Sequence, residues 1–333
     1  MALKPTSKQH AAQIQAGTAG RIGGHWFERM IAQSISALPM PYQGVALGEG
    51  CLFRGDPGQL LLNFVMRDLG LTVVHSARAI PAGGLATAES GAKELEIDGV
   101  RLNRCKSDVI LLIQAGATKR CVGVSTKQCS NATPTNAQLY FSTATAFCAL
   151  LQSNGIPLSQ AAVNAMRMFC GDPTFRPQDA PQSPVGRASD PTRWFWEELP
   201  AAARDEIETT LDTHQDRITR LLLQNAYLGD PFPPDYMAHY TRAVESGQPE
   251  VAIFTIDEFI RLSRSYGGFH TKSYRVKKGS HKDPPGVEHL APRFGVVQFQ
   301  RGGQKQHPTQ LQFNLKAGYF YKSPFSPEAA GAA

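Results

Sequence analysis

The sequence of 333 residues is long enough for one large or two modest domains, and its 42% hydrophobic content suffices for an ordinary buried core. No run of 18 apolar residues occurs and the first residues are polar, which excludes a membrane span and predicts no secretory signal. The net charge of +6 favours a polyanionic partner, and six scattered cysteines without a C-x-x-C pair disfavour disulfide or zinc frameworks and predict a cytoplasmic protein.

The first part of the chain predicts two helices. One is expected over residues 23–38, because apolar residues recur there at helical spacing until Pro39 ends the pattern. The second is expected over residues 58–70, where a closing glycine favours the end of the helix. Pro- and Gly-rich turns separate the two helices.

Two β-hairpins are predicted next. The first spans residues 95–102 and has Asp98-Gly99 at its turn, a dipeptide that two-residue turns prefer. In the second, a strand over residues 108–114 is followed by a turn and by a strand over residues 120–128. The continuous apolar runs of these two strands are typical of the central strands of a buried sheet.

The middle of the chain is predicted to be mainly helical. The Pro- and Ser-rich stretch 171–189 reads as a linker or long loop, and residues 251–267 predict a strand followed by a helix. The predicted helices cover residues 136–152 (with Thr135 as a cap), 159–169, 192–226 and 235–245.

Positive charge is concentrated towards the end of the sequence. Residues 261–322 include five arginines and seven lysines but only Asp283 and Glu288 as acids, so the remainder of the chain is mildly acidic. A solvated basic tail is the simpler interpretation of such a stretch. However, this stretch is rich in aromatic and aliphatic residues, so we expect it to fold as a β-rich region that binds a polyanion.

A carboxylate and a lysine flank the apolar strands of the second hairpin. Asp108 begins the first strand and Lys127 lies near the end of the second, so antiparallel pairing would bring both to one edge of the sheet. Phosphodiester hydrolysis needs a hard cation, a positioned water and positive charge where negative charge develops. Asp108 and the Thr126 carbonyl are candidate Mg²⁺ ligands through oxygen, and Lys127 is a candidate to orient the water. Alone, each charged residue would be taken for a turn or strand-end residue; together they favour chemistry.

This segment resembles the PD-(D/E)xK motif of Mg²⁺-dependent nucleases. Ser107-Asp108 occupies the place of the PD pair, and residues 125–127, Ser-Thr-Lys, occupy the place of (D/E)xK. Serine in place of the proline is a common departure, whereas serine in place of the acid removes a metal ligand. The resemblance implies an α/β (α+β) fold whose core has a mixed central sheet flanked by helices, with a helical insertion and the basic C-terminal region added to it.

The missing acid requires a substitute. Glu28, in the stretch GGHWFER of residues 23–29, resembles the N-terminal helix glutamate that approaches the metal in many of these nucleases. A surface carboxylate is the alternative interpretation of Glu28. Ser125 is a candidate to hydrogen-bond a metal-bound water, and Gln128 a candidate to face the phosphate. Glu94 and Glu96 are further candidate acids.

The chain length and the layout of the motif are similar to those of the XcyI/XmaI-type restriction endonucleases, which cut within CCCGGG. This resemblance implies a type II restriction endonuclease that cuts double-stranded DNA as C/CCGGG. A palindromic site implies a homodimer with one active site per strand. The resemblance also implies a cognate DNA methyltransferase as the other enzyme of a restriction–modification system.

On this interpretation residues 1–175 form a nuclease core with the catalytic hairpin, residues 176–250 a helical insertion and residues 251–325 a basic DNA-recognition region packed on the core. Contacts with phosphates are expected to outnumber contacts with bases. Arg293 and Arg301, which flank the stretch FGVVQFQ, are candidates to read guanine. The other candidate DNA-binding residues are Asn131, Lys272, Arg275, Lys277, Lys278, Lys282 and Lys305.

Two other interpretations remain open. A structure-specific or repair nuclease of the same superfamily would share the motif. A DNA-binding protein without catalytic activity would fit the loss of the acid at position 125. Incubation with plasmid DNA and Mg²⁺ distinguishes the three, because a restriction enzyme gives discrete fragments, another nuclease gives a smear or cuts branched substrates, and a binder shifts uncut DNA.

Overall fold

A computed structural model of the chain describes residues 8–86, 94–129, 137–180, 190–225, 229–241, 250–275, 287–302 and 309–321. Within these ranges, no helix is long and apolar enough to cross a bilayer. The α-helices are α1 (Lys8–Ser36), α2 (Pro57–Asp68), α3 (Ala144–Ser153), α4 (Gln160–Cys170), α5 (Ala201–Thr213), α6 (Gln215–Gln224) and α7 (Ile256–Ser265). The strands are β1 (Tyr42–Gln43), β2 (Leu52–Arg54), β3 (Val73–Val74), β4 (Ser76–Pro81), β5 (Leu95–Ile97), β6 (Val100–Leu102), β7 (Val109–Ala115), β8 (Thr118–Cys129), β9 (Ala137–Thr143), β10 (Pro234–Thr241), β11 (Glu250–Thr255), β12 (Phe269–Arg275), β13 (Glu288–Phe294), β14 (Val297–Arg301) and β15 (Gln310–Leu315).

A six-stranded sheet contains both predicted strands of the second hairpin. Its order is β2-β11-β10-β8-β7-β4, in which β10 runs parallel to β8 and the other neighbours are antiparallel. Helices α1 and α2 bury one face of it, where Phe27, Ile31 and Leu61 pack in one cluster with Val109 and Val124. The predicted α+β class, with a mixed central sheet flanked by helices, is confirmed.

Both predicted hairpins are present. Strands β7 and β8 pair with Val109 opposite Val124, and Gly116 has φ 59° in the tight turn between them, a conformation that glycine adopts without strain. In the hairpin of β5 and β6, Asp98 and Gly99 have φ values of 47° and 79°. Two successive residues with positive φ are the requirement of the predicted turn type.

A five-stranded sheet accounts for the β-rich C-terminal region. Its order is β12-β13-β14-β15-β9, so four of its strands come from the basic part of the sequence. Aromatic side chains cover one face, where Phe147 of α3 lies 4.6 Å from Phe313 and Phe169 of α4 lies 6.0 Å from Phe299, measured between ring centroids. The basic region is therefore folded around a core of its own.

Three predicted helices are wrong in whole or in part. In the one predicted over residues 192–226, α-helix begins only at Ala201, after a short 3-10 helix over Trp196–Glu198. Residues 234–241 form strand β10, which lies between β8 and β11 and is buried on both faces, so its sequence shows no alternation of apolar and polar residues. Residues 137–143 form strand β9, in agreement with their aromatic and β-branched content. Helix α3 begins only after Thr143, whose side chain accepts a hydrogen bond from the Ala146 amide. The predicted cap Thr135 lies outside the described residues.

Contacts within the chain divide it into two units. The first contains residues 5–137, 220–260 and 317–333, and therefore holds the six-stranded sheet. The second contains residues 138–219 and 261–316, and holds the five-stranded sheet. Each unit is assembled from separated stretches of sequence. The three-part division along the chain stays a prediction.

Candidate active site

The hairpin of the first unit brings the predicted carboxylate and lysine together. Asp108 Oδ2 accepts hydrogen bonds from Lys127 Nζ at 2.9 Å and from the Thr126 amide at 2.7 Å. The Ser125 hydroxyl donates to the same oxygen at 3.1 Å. The Asp108 and Lys127 side chains are only 22% and 20% exposed, so water screens this ion pair less than a surface pair.

Lys127 is held by three acceptors. Besides Asp108, its Nζ donates to Ser125 Oγ at 3.1 Å and to the Thr126 carbonyl at 2.8 Å. An ammonium group has three N–H bonds, so all of them have an acceptor here. The network fixes the position of a positive charge directly beside the Asp108 carboxylate.

Glu28 of α1 faces the same group. It is buried, and burial raises its pKa to about 8; repulsion from Asp108 adds to this rise, whereas attraction to Lys127 opposes it. The Gly83 amide donates to the Asp108 main-chain carbonyl at 3.1 Å, and a Cβ at position 83 would collide with the Glu28 carboxylate. The predicted substitute acid therefore lies in the same site as Asp108 and Lys127.

The donor atoms of this site fit a hard divalent cation. Glu28, Asp108 and the Thr126 carbonyl supply oxygen, the ligand atom that Mg²⁺ prefers. Burial, and secondarily the charge of Asp108, raises the pKa of Glu28 and so disfavours its charged form; a bound cation would favour that form. The Thr126 carbonyl has a second lone pair besides the one that Lys127 uses. Within the described ranges, no cluster of three or more His, Cys, Asp or Glu side chains could hold a metal.

Gln128 lies apart from the Asp108 network. A Cβ at Gly23 of α1 would lie 2.9 Å from Gln128 Nε2, so this amide packs against the helix. Strand alternation places Gln128 and Lys127 on opposite faces of β8. A contact between Gln128 and a phosphate stays a prediction.

The predicted DNA-binding residues that are described belong to the second unit and differ in exposure. Lys272 and Arg275 are exposed on β12, and Arg275 pairs with Glu288 at 2.6 Å. Arg293 is partly buried on β13. Asn131, Lys277, Lys278, Lys282 and Lys305 lie outside the described residues.

Arg301 does not have the placement expected of a base reader. It is only 6% exposed, and its guanidinium donates to the Thr192 hydroxyl at 3.0 Å and lies 3.7 Å from Asp190. Asp190 is itself 1% exposed, so this is an interior ion pair. If Arg301 turned towards DNA, the buried Asp190 carboxylate would lose this positive partner. That cost argues against the predicted base contact.

His239 is a neighbour of the site that the sequence analysis missed. It lies opposite Lys127 in the register of β10 and β8, is fully buried, and its Nδ1 is 2.6 Å from the Tyr321 hydroxyl. Burial, and secondarily the charge of Lys127, lower its pKa to about 3. The sequence analysis missed His239 because it predicted a helix there, and a helix would not have paired with β8.

Lys106 is a second lysine beside the site. Its main-chain amide donates to Asp230 Oδ2 at 2.7 Å. Burial lowers the pKa of Lys106 to about 8, and repulsion from Lys127 contributes, whereas Asp108 opposes the shift. Its position two residues before Asp108 was visible in the sequence, but nothing there indicated that its side chain is partly buried.

Comparisons with known proteins give one distant structural likeness to report. No protein-family model matches the chain, and no curated protein sequence does either. The chain is similar to a crystal structure of the restriction endonuclease MspI in complex with its cognate DNA, with a TM-score of 0.44. The identity is 12%, over 77% of this chain and 78% of that chain. At this level of similarity, function has to be argued from the geometry of the site.

Proposed function

We propose that the chain is a Mg²⁺-dependent nuclease that cuts double-stranded DNA as a type II restriction endonuclease. The observation that carries the proposal is the ion pair of Asp108 and Lys127 at 2.9 Å, with the buried Glu28 carboxylate facing it. A pair of carboxylates for a hard cation and a fixed ammonium group are the parts that phosphodiester hydrolysis needs.

Each part has a distinct task. Glu28, Asp108 and the Thr126 carbonyl would hold Mg²⁺, which supplies Lewis-acid polarisation of a phosphate oxygen when bound. Lys127 holds a positive charge where negative charge develops on the phosphate, and would orient the attacking water by exchanging one of its three acceptors for that water. The Ser125 hydroxyl and the Thr126 amide fix the direction of the Asp108 carboxylate through their hydrogen bonds at 3.1 and 2.7 Å.

In this arrangement Ser125 and Glu28 together take over the tasks of the motif acid that is missing at position 125. Ser125 donates a hydrogen bond to Asp108 and accepts one from Lys127, so it orders the site without adding a negative charge. Glu28 supplies the second carboxylate from helix α1. This pairing supports a catalytic site over a silent DNA-binding protein.

The finer part of the proposal concerns specificity and assembly. The resemblance in sequence supports recognition of CCCGGG and cleavage as C/CCGGG by a homodimer, with a cognate methyltransferase protecting the host site. Two active sites related by a two-fold axis match the two strands of a palindrome. The basic residues of the second unit support binding of the DNA backbone.

Plasmid digestion tests the proposal. Incubation with Mg²⁺ is expected to give discrete fragments, and sequencing of their ends is expected to place each cut within CCCGGG. Omission of Mg²⁺ with a chelator present is expected to abolish cutting. Discrete fragments with other ends would refute the CCCGGG assignment alone, a smear would indicate the structure-specific or repair nuclease, and shifted but uncut DNA would refute catalysis.

A further inference from the structure

One face of the five-stranded sheet carries a row of polar side chains across four strands. In the strand register, His270 of β12 lies opposite Arg293 of β13, Arg293 lies opposite Gln298 of β14, and Gln298 lies opposite Asn314 of β15. Directly paired residues share a face of the sheet. We name these four residues the polar row. With strands spaced by about 4.8 Å, the row is roughly 14 Å long.

The opposite face of the same strands is apolar. Each member of the polar row is next in sequence to a phenylalanine, and three of these rings are at most 1% exposed. The alternation therefore fixes the direction of the row, away from the aromatic core. The phenylalanines are Phe269, Phe294, Phe299 and Phe313.

The face that carries the polar row offers both hydrogen-bond donors and acceptors. Its members are an arginine, a histidine and two amides, extended by the cross-strand pair of Gln300 and Gln312. Gln298 Oε1 is buried and has no hydrogen-bond partner within the described residues. A buried acceptor without a donor costs free energy, and a turn of the Gln298 side chain towards a donor on a ligand would recover it.

Cations crowd the same face. Lys316 lies directly after β15, two residues beyond Asn314, and its side chain is near enough to Arg293 and Lys272 to be affected by their charges. Burial lowers the pKa of Lys316 to about 8, and the charges of Arg293 and Lys272 lower it further. Positive groups that repel one another in this way are complementary to a polyanion.

We propose that the three partly exposed members of the polar row, His270, Arg293 and Gln298, read base edges in a groove of double-stranded DNA, while Lys272 and Lys316 contact phosphates. Asn314, at 8% exposure, supports Gln298 from the neighbouring strand. Arginine donates two hydrogen bonds to guanine, and an amide both donates and accepts, so the row carries the groups that base edges require. Strands reach base edges in several known classes of DNA-binding protein. The inference deepens the proposed function, since it assigns the sequence specificity of that nuclease to one sheet face.

Selection of bound duplexes from a library with a randomised centre tests this assignment without cleavage, with Ca²⁺ replacing Mg²⁺. The wild type is expected to enrich one sequence. Arg293→Lys keeps the charge but loses the two-pronged donor, and Gln298→Ala loses the amide. Each is expected to lower the preference for the enriched base at one position of each half-site by roughly 5- to 150-fold.

Two further variants separate specificity from general binding. Lys316→Ala is expected to weaken binding to all sequences alike and to reduce the slope of log affinity against log salt by about 1. Gln160→Ala removes an exposed glutamine at the start of α4 in the same unit, where its amide contacts Asn164, and is expected to leave the enriched sequence unchanged. Thermal unfolding of every variant identifies any loss of fold.

The outcomes distinguish the two proposals. A folded Arg293→Lys variant that enriches the wild-type sequence with unchanged discrimination overturns the role of the polar row, as does a wild type that enriches no sequence. The wild type could enrich a sequence that the variants do not enrich and yet fail to cut DNA in Mg²⁺. That result would support the polar row and refute the nuclease.

Discussion

At the residue scale, the ion pair of the hairpin gives the sharpest prediction. Asp108→Asn removes a charge without changing the size of the side chain, and Lys127→Ala removes the ammonium group that three oxygens hold. Each is expected to reduce the cleavage rate at least about a hundred- to thousandfold, because the stabilisation of developing charge is lost. Single-turnover cleavage of an end-labelled duplex measures this effect.

Matched controls exclude general damage to the hairpin. Lys119→Ala changes an exposed lysine at the other end of the same strand and is expected to cut normally. All three variants are expected to retain salt-sensitive DNA binding, since phosphate contacts elsewhere dominate affinity. Cutting at the wild-type rate by either Asp108→Asn or Lys127→Ala would contradict the assigned site.

A second prediction concerns Glu28, the acid that we propose as the replacement for the missing motif residue. Glu28→Gln keeps the volume of the buried side chain but removes its charge, so the Mg²⁺ concentration for half-maximal cleavage is expected to rise at least about tenfold. Titration of cleavage rate with Mg²⁺ measures the shift. Glu96→Gln, in an exposed residue near Arg101, is expected to leave the titration unchanged. An identical titration for Glu28→Gln and the wild type would exclude Glu28 as a ligand.

At the scale of elements, the turn after β4 leaves room for the Glu28 carboxylate because residue 83 is a glycine. A methyl group at Gly83 would collide with the Glu28 carboxylate, so Gly83→Ala is expected to impair Mg²⁺ dependence in the same direction as Glu28→Gln. Gly24→Ala is the control: a Cβ there meets no atom within 4 Å, and alanine stabilises a helix interior by roughly 0.5–1 kcal/mol. Equal Mg²⁺ titrations for both variants would show that Gly83 does not position the acid.

Strand β10 gives a prediction about pH. Above about pH 6.5 His239 is neutral in both the folded and the unfolded chain; as the pH falls towards 3, only the unfolded chain binds the proton, because the folded pKa is about 3. The stability that depends on a neutral His239 is therefore complete above pH 6.5 and is lost as the pH falls, by about 2 kcal/mol between pH 7 and pH 5. Denaturant unfolding at several pH values measures this loss.

Two variants isolate the contribution of His239 to that loss. His239→Gln is expected to unfold more easily at pH 7 but with a flatter dependence on pH, since no proton is then excluded from the folded state. His214→Gln changes a partly exposed histidine at the end of α5 and is expected to keep the wild-type slope. A wild-type slope in His239→Gln would mean that another group controls the loss.

The elements also show what the sequence could and could not predict. Asp108 and Lys127 were predictable because one hairpin joins them, and apolar strands with a turn between them determine that pairing locally. Glu28 was predictable only as one of several acids, since its approach depends on how α1 packs on the sheet. His239 was not predictable, because its place depends on the parallel pairing of β10 with β8, a contact between distant parts of the chain that leaves no local pattern.

At the scale of the whole molecule, the chain returns to the first unit after it has formed the second. Residues 317–321 bring Phe320 to 5.2 Å from Phe254 and 5.7 Å from Phe259, measured between ring centroids. Tyr321, the next residue, contacts His239. The stability of the unit that contains the candidate active site therefore depends on a segment more than fifty residues beyond the rest of that unit.

Phe320→Ala tests this dependence. Loss of a buried phenylalanine is expected to destabilise the protein by about 3–5 kcal/mol, because a cavity replaces its contacts with Phe254 and Phe259. Phe141→Ala removes a phenylalanine that is 57% exposed and is expected to cost far less. Equilibrium unfolding in denaturant compares the two. If both variants lost similarly little stability, the returning segment would not be part of the fold that holds Lys127 and Asp108 in place.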